Sequence, residues 1–362
     1  MHTRYSSDPS LNILYQTLTL STFLIAMAVF YTICPPYRHY TFQSMPGQPL
    51  LIFTAKAVGI LAVVLTAATY ATWAERRVAA WIQDRIGPNK TGPFGLLQPI
   101  ADVLKLFFKE EIVPTPVDPL LHFITPGIIM VGVIAATALI PFAENLTLAD
   151  PPVGVLLLLG ISALSGYSVI LAGMASRTKY SLFGSLRAAA QVISYEIPMA
   201  LAIASVVLMT GSLSLVDIVK AQAHMPFAIT QPVAFIIYLI AVFAETNRAP
   251  FDLPEAESEL VGGYHTEYSS MRFAWFFAGE YAHVVIASAL ITTFFLGGWY
   301  GPGPDGVWWF AVKTIFFIYF FLWVRWTYPR TRYDQLMKFA WKILIPLGLL
   351  NILITALIKI WG

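Results

Sequence analysis

Apolar runs of membrane-crossing length recur along this chain, and they constrain its fold more tightly than any other feature. A bilayer core about 30 Å thick needs roughly 20 apolar residues per helix. Windows of that size fall at about 11–34, 49–73, 120–143, 153–175, 190–211, 226–244, 272–300, 307–326 and 342–361. Hydrocarbon offers no water to the backbone, so each run is expected to satisfy its own hydrogen bonds as a helix. Pro126, Gly160, Pro198 and Pro346 do not argue against this, because membrane helices tolerate both residue types. The expected fold class is an all-α polytopic membrane protein with about nine transmembrane helices. Composition agrees, with 57% hydrophobic and 12% charged residues, the latter about half the share of a soluble domain. No cleavable signal fits the start, because polar residues 1–10 lead into an apolar run too long for one.

Lysine and arginine in the connections set the orientation. Residues 74–119 carry Arg76, Arg77, Arg85, Lys90, Lys105 and Lys109; 176–189 carry Arg177, Lys179 and Arg187; 325–342 carry Arg325, Arg330, Arg332, Lys338 and Lys342. Segments 141–152 and 301–306 have none, 35–48 only Arg38, and 212–225 only Lys220. The basic connections and the N-terminus are therefore expected on the cytoplasmic (or organelle matrix) side, and the C-terminus outside.

One inner segment breaks the basic pattern. Residues 245–280 hold Glu245, Asp252, Glu255, Glu257, Glu259, Glu267 and Glu280 against Arg248 and Arg272, seven acids less two arginines, a net of −5. Pro254 suits the first turn of a short helix ending at Gly262-Gly263, on which Glu255 and Glu259 share a face. Carboxylates this close titrate as a coupled set, which a proton relay requires and a solvated acidic surface does not. Glu196 adds an acid about six residues, hence about 9 Å, inside the fifth apolar run. A charge there is costly unless it faces the bundle interior, so water, a cation or a hydroxyl such as that of Tyr195 is expected beside it.

The inner segment after the second run has structure of its own. Gly87-Pro88 and Gly92-Pro93 are turn signals. Residues 93–111 then read as an amphipathic helix, with Leu96, Ile100, Val103, Leu104 and Phe107 on one face. Gln98, Asp102, Lys105 and Lys109 fill the other, which suits an interfacial helix or the cap of a cavity at the membrane surface.

Redox and metal chemistry find no ligand set. The single cysteine, Cys34, excludes a disulfide framework, a cysteine zinc site and an iron–sulfur cluster built by this chain alone. Glu280 and His283 have the spacing of half a di-iron motif, but no second Glu-x-x-His occurs, so a hydrogen-bonded pair is expected. His2, His39, His122, His224 and His265 form no ligand spacing. No metal, flavin or dinucleotide is expected in this chain, and no nucleic acid as a partner.

The strings ERRVAAWIQDRIGPNKTGPFGLLQPIADVLKLFFKE, SLFGSLRAAAQVISYE and ETNRAPFDLPEAESELVGGYHTEYSSMRFAWFFAGEY resemble the signature segments of the H subunit of bacterial NADH:quinone oxidoreductase, subunit 1 of respiratory complex I. The resemblance runs from about residue 50 to the end. It implies an eight-helix membrane core over 49–362, with 1–48 an added helix and outer loop seen in some members. It implies no redox centre in this chain, with quinone as the substrate of the complex. The implied partners are the peripheral-arm quinone-site and terminal iron–sulfur subunits and small membrane-arm subunits. The implied location is the bacterial inner membrane. Matching motif positions give Arg76, Asp102, Phe277, Arg330 and Arg332 as quinone-chamber residues. Glu196, Glu245, Asp252, Glu255, Glu257, Glu259, Glu267 and Glu280 match the acids that start the family's proton pathway. A homologous membrane component of a membrane-bound hydrogenase or formate hydrogenlyase is the nearest alternative; a secondary transporter would show two related halves, and none is visible here.

Overall fold

The computed structural model describes residues 50–144 and 146–361. The expected helix at 11–34, and Cys34 with it, lie outside the described residues. All regular structure in the described residues is helical. We label ten helices: α1 (Leu50–Ile82), α2 (Gln98–Phe108), α3 (Pro119–Leu139), α4 (Gly154–Ser176), α5 (Lys179–Thr210), α6 (Leu215–Ala221), α7 (Pro232–Glu245), α8 (Ser270–Phe295), α9 (Val307–Thr327) and α10 (Tyr333–Trp361), the last containing a π turn at Ala340–Leu344. Seven of these are long and apolar enough to cross a membrane, and α7 is a shorter apolar helix.

Helix boundaries depart from the apolar windows where charge and helix propensity disagree. The second window stops near residue 73, yet α1 continues to Ile82 through Glu75, Arg76 and Arg77. The fifth begins near residue 190, yet α5 starts 11 residues earlier at Lys179 and carries Arg187 within it. Arginine and lysine are good helix formers whose long stems reach out of an apolar layer, so charge ends the hydrophobic run without ending the helix. The same applies to Lys338 in α10, which starts at Tyr333 rather than near 342, with Asp334 in its first turn where the helix dipole favours an acid. Glu196 consequently sits in the middle of a long helix rather than six residues from its start.

The opposite departure occurs at α7. Its 14 residues span about 21 Å, short of a 30 Å hydrocarbon layer. A single turn at Phe227–Thr230 precedes it, and the chain breaks at Gln231 before Pro232. α7 ends on Glu245, and the chain after it folds back among the helices.

Two groups of helices share α8 and α5 as their centres. α8 packs against α1, α3 and α9, and α5 against α4, α7 and α10. From Tyr281 to Phe295 nearly every α8 side chain is buried, which no two-sided amphipathic pattern would allow. At Gly279 α8 packs tightly against α3: a Cβ there would lie 2.9–3.0 Å from three side-chain carbons of Ile129. Gly279→Val is expected to push the two helices apart and destabilise the fold by about 1–3 kcal/mol, the range for overpacking a tight interior. A thermal inactivation midpoint in detergent, compared with wild type, checks this.

Candidate functional site

The stretch 246–269 is not a solvated loop. Thr246, Arg248, Leu253, Ala256, Leu260 and Tyr264 are buried. Gln191 on α5 fixes its entry, its amide nitrogen reaching the carbonyls of Ala244 and Phe251 (both 2.7 Å) and Asn247 Oδ1 (3.2 Å). That satisfies a carbonyl left open where α7 stops. Thr331 donates from both its backbone nitrogen and its hydroxyl to the Pro250 carbonyl, 3.0 Å in each case. Gly263 adopts φ +60°, and a Cβ there would lie 1.9 Å from the Pro254 carbonyl oxygen, so only glycine fits this crossing.

At the centre of the site lies Arg248, 6% exposed. Its Nη1 donates to Glu75 on α1 at 3.2 Å, its Nη2 lies 3.9 Å from Glu280 on α8, and its guanidinium stacks 4.1 Å above the Tyr281 ring. Glu75 also accepts from Arg325 of α9 at 2.7 Å and from the Tyr281 hydroxyl at 2.8 Å. Glu280 accepts the Tyr264 hydroxyl at 2.5 Å and shares a hydrogen bond with Glu255. Burial, followed by the adjacent Glu280 and Asp252 charges, holds the Glu255 carboxyl far above the ordinary carboxylate range. Burial, then Glu280, lifts Asp252 to about 6, against the opposing pull of Arg330 and Arg248. Close carboxyls in a poorly solvated place cannot all ionise at their ordinary values, so they titrate as a coupled set.

The acidic residues of the stretch therefore separate. Glu255 joins the interior, whereas Glu259 is half exposed and pairs with Arg187 at 2.5 Å and Arg330 at 4.0 Å. The expected shared face of Glu255 and Glu259 is absent, because the helix is a single turn, Glu257–Leu260, that starts after Glu255. The hydrogen bond to Arg187 lowers the Glu259 carboxyl below its ordinary value. Glu267 is partly buried and lends its backbone carbonyl to His122 Nε2. Glu257 opens the single turn, and its side chain lies outside the described set.

Glu245 and Glu196 form a second acid group close enough to feel one another's charge. Contrary to the expectation from sequence, the Tyr195 hydroxyl is not the partner of Glu196; it donates to the Leu336 carbonyl of α10 at 3.1 Å. Neither are Glu280 and His283 hydrogen-bonded, since Glu280 has turned to Tyr264 and Glu255. A small cavity of about 30 Å³ lies between Glu280, His283 and Glu245.

The interfacial segment is shorter than expected, 98–108 rather than 93–111, because Pro93–Gly95 forms a separate 3-10 turn. Of its polar side, Gln98 and Asp102 turn inward, whereas Lys105 and Lys109 are exposed: Asp102 pairs with Arg76 of α1 at 2.7 Å and accepts from Gln98 at 3.1 Å. Leu96, Ile100, Val103, Leu104 and Phe107 are exposed, so the apolar face has no cover from the described residues. Beyond α2, the Ser270 hydroxyl reaches the carbonyls of Leu106 (3.1 Å) and Lys109 (2.7 Å), and Glu111 pairs with Arg272. Arg272 Nη1 also lies 2.5 Å from His122 Nδ1. Arginine has only donors, so Nδ1 accepts and Nε2 carries the proton given to Glu267. Phe277 stacks between Phe273 and Tyr281 on α8. Arg332 is mostly exposed and pairs with Asp334 at 3.4 Å, outside the buried group.

Glu75, Tyr264, Tyr281 and Arg325 were not singled out by sequence reasoning. For Glu75 a signal existed: Glu75 and Arg76 are adjacent on α1, and neighbours on a helix point about 100° apart. One therefore faces Arg248 and the other Asp102. Among the described residues, no three His, Cys, Asp or Glu converge as metal ligands.

Long apolar helices enclosing paired and unpaired carboxyls define a polytopic membrane protein with an ionisable interior, the kind of interior that accompanies ion or proton pathways. The chain belongs to the NADH dehydrogenase family, whose sequence model matches residues 55–356. It is 51% identical over 315 residues to the first form of the NADH-quinone oxidoreductase H subunit of Geobacter metallireducens, covering 84% of this chain and 96% of that one. It is 48% identical over 337 residues to the H subunit of Thermomicrobium roseum, covering 88% and 99%. The H subunit of Rickettsia bellii is 49% identical over 323 residues, covering 86% and 95%.

Because Asp252 is lifted to about 6, it is protonated below that pH and ionised above it. An infrared pH titration of detergent-purified protein is expected to show a carboxylic-acid band that fades as pH rises through about 6 and is missing in Asp252→Asn. Glu259→Gln should leave the band in place, since Arg187 keeps Glu259 ionised well below that range.

Proposed function

We propose that this chain is the membrane subunit of an NADH:quinone oxidoreductase that borders the quinone chamber and holds the first carboxyls of its proton pathway. The observation that carries this reading is the adjacency of two ion pairs on α1. Arg76 holds Asp102 beneath an interfacial helix, and its neighbour Glu75 holds Arg248 inside the acidic group. The polar face of α2 borders the chamber, so an amphiphilic quinone there has its headgroup near the first pair and its tail toward lipid. Reduction of a quinone takes up protons and changes local charge. The change is felt across the width of α1 at Glu75 and Arg248, and so by Glu280, Glu255 and Asp252.

In this reading Arg76, Asp102, Phe277, Arg330 and Arg332 border the chamber. Glu196, Glu245, Asp252, Glu255, Glu257, Glu259, Glu267 and Glu280 form the acidic path, with Glu75 added to it. The half-exposed Glu259 and the Arg187, Arg330 and Arg332 side chains around it suit a surface that peripheral-arm subunits cover. The exposed flanks of α1 and α10 suit lipid and small membrane-arm subunits. The core from residue 49 onward carries the activity, and 1–48 is an addition to it. The basic connections face the cytoplasm of a bacterial cell, with the C-terminus outside.

In the assembled complex, Asp102→Asn or Arg76→Ala is expected to impair quinone reduction while NADH oxidation by a hydrophilic acceptor continues. Equal loss of both activities would overturn the chamber assignment. Glu196→Gln and Glu245→Gln keep shape but cannot exchange a proton. Each is expected to lower quinone reduction and proton translocation by about tenfold or more, the scale of a lost acid–base group. Combined, they should cost less than the sum in activation free energy, because they serve one path. Proton-pumping assays in membrane vesicles measure this, and full pumping by either single variant would end the pathway reading.

A further inference from the structure

Nε2 of His283 and Oγ of Ser165 are buried in the bundle with no hydrogen-bond partner among the described residues. His283 is on α8 and Ser165 on α4, yet both residues line the same cavity of about 30 Å³. Ser162, Glu245, Thr246, Asn247 and Glu280 line it too, along with apolar side chains from α3, α4 and α5. Leaving a buried donor or acceptor unsatisfied is costly, so such atoms in a polar pocket call for a partner. A space this size admits about two water molecules, and the polar atoms around it supply the several hydrogen bonds a buried water needs.

The cavity's position is more telling than its size. On one side Glu280 belongs to the Arg248 group, with one carboxyl oxygen held by Tyr264 and a hydrogen bond to Glu255. On the other side Glu245 ends α7, in contact with Ser162 and within the field of Glu196. Among the described residues Glu280 and Glu245 share no direct hydrogen bond, and both line this space. α4 approaches closely here because residue 132 is glycine. A Cβ at that position would lie 2.5 Å from Ser165 Oγ.

We propose that the cavity is a water site organised by His283 and Ser165, and that its water relays protons between Glu280 and Glu245. The proposal rests on reading these acids as a proton path and names the step that joins its two halves. Glu280 in its acid form gives its proton to a water oxygen as that water gives one of its own to the Glu245 carboxylate. One O–H bond breaks for each that forms, and no co-reactant is needed. His283 and Ser165 are positioning residues: the imidazole Nε2 and the hydroxyl hold the water in line and take no net proton.

The test uses the assembled complex in vesicles, with quinone-driven proton pumping normalised to NADH oxidation by a hydrophilic acceptor. His283→Leu removes the hydrogen-bonding group, and Ser165→Val fills the space. Each is expected to lower pumping and quinone turnover by about tenfold, comparable to a hydrogen bond lost from a rate-limiting proton transfer. His283→Gln, which presents an amide at similar reach and cannot titrate, is expected to restore most of the activity. Normal pumping in His283→Leu and Ser165→Val overturns the proposal, and so does a His283→Gln variant as impaired as His283→Leu. If the His283 variants do not assemble, Ser165→Ala decides the matter. It removes one oxygen and should slow pumping; unchanged pumping overturns the water site. Glu245→Gln and Glu280→Gln run alongside. If they pump normally the whole acid path falls, whereas if they fail while Ser165→Val and His283→Leu pump, only the water link falls.

Discussion

Arg248 and Glu75 are each less than a tenth exposed, and their ion pair is the contact on which the interior depends. Removing one member of such a pair strands the other charge, at a cost of about 3–5 kcal/mol. Here the stranding would spread. Glu75 also neutralises Arg325, and Arg248 is the nearest cation to Glu280 and acts on Asp252 and Glu255. For Arg248 to reach Glu75, the chain after α7 must descend into the bundle. That requirement accounts for a helix of only 14 residues ending on Glu245, for the Gln191 amide that closes it, and for glycine at 263. The acidic stretch is thus held by its own Arg248 and by Arg187 and Arg330 from elsewhere in the chain, and the Glu255 and Glu280 carboxyls do not relax into solvent.

The same constraint ties the interfacial helix to the acids. α2 is joined to α1 through Asp102 and Arg76, and the segment after it to the start of α8 through Ser269, Ser270, Glu111 and Arg272. Both anchors lie on helices that also carry members of the buried group, Glu75 on α1 and Glu280 on α8. In the proposed function, a charge change beneath α2 is passed to the acids along these two helices.

Not every acid in the stretch shares that fate. Glu259 and Glu255 are four residues apart, yet one pairs with Arg187 at the surface and the other is pressed against Glu280. Their proton affinities move in opposite directions for that reason, down for Glu259 and up for Glu255. Identical side chains acquire different roles because one keeps water and a cation while the other keeps neither.

The all-helical class and the approximate positions of seven membrane-length helices and one shorter apolar helix among the described residues were legible in the sequence, as was the concentration of acids at 245–280. Apolar length and helical periodicity are local properties, and charge sparsity in such a chain makes each carboxylate conspicuous. Helix ends were less legible, because Lys179, Arg187 and Asp334 end the apolar pattern while continuing the helix. What the tertiary structure alone decided was pairing. Glu75 meets Arg248 across 173 positions of chain, and Tyr281 meets Glu75 across 206. Likewise, Ser165 and His283 converge on one cavity. Sequence spacing fixes which residues share a turn of one helix. Which helices face one another is set by close packing over the whole bundle, and no local pattern records it.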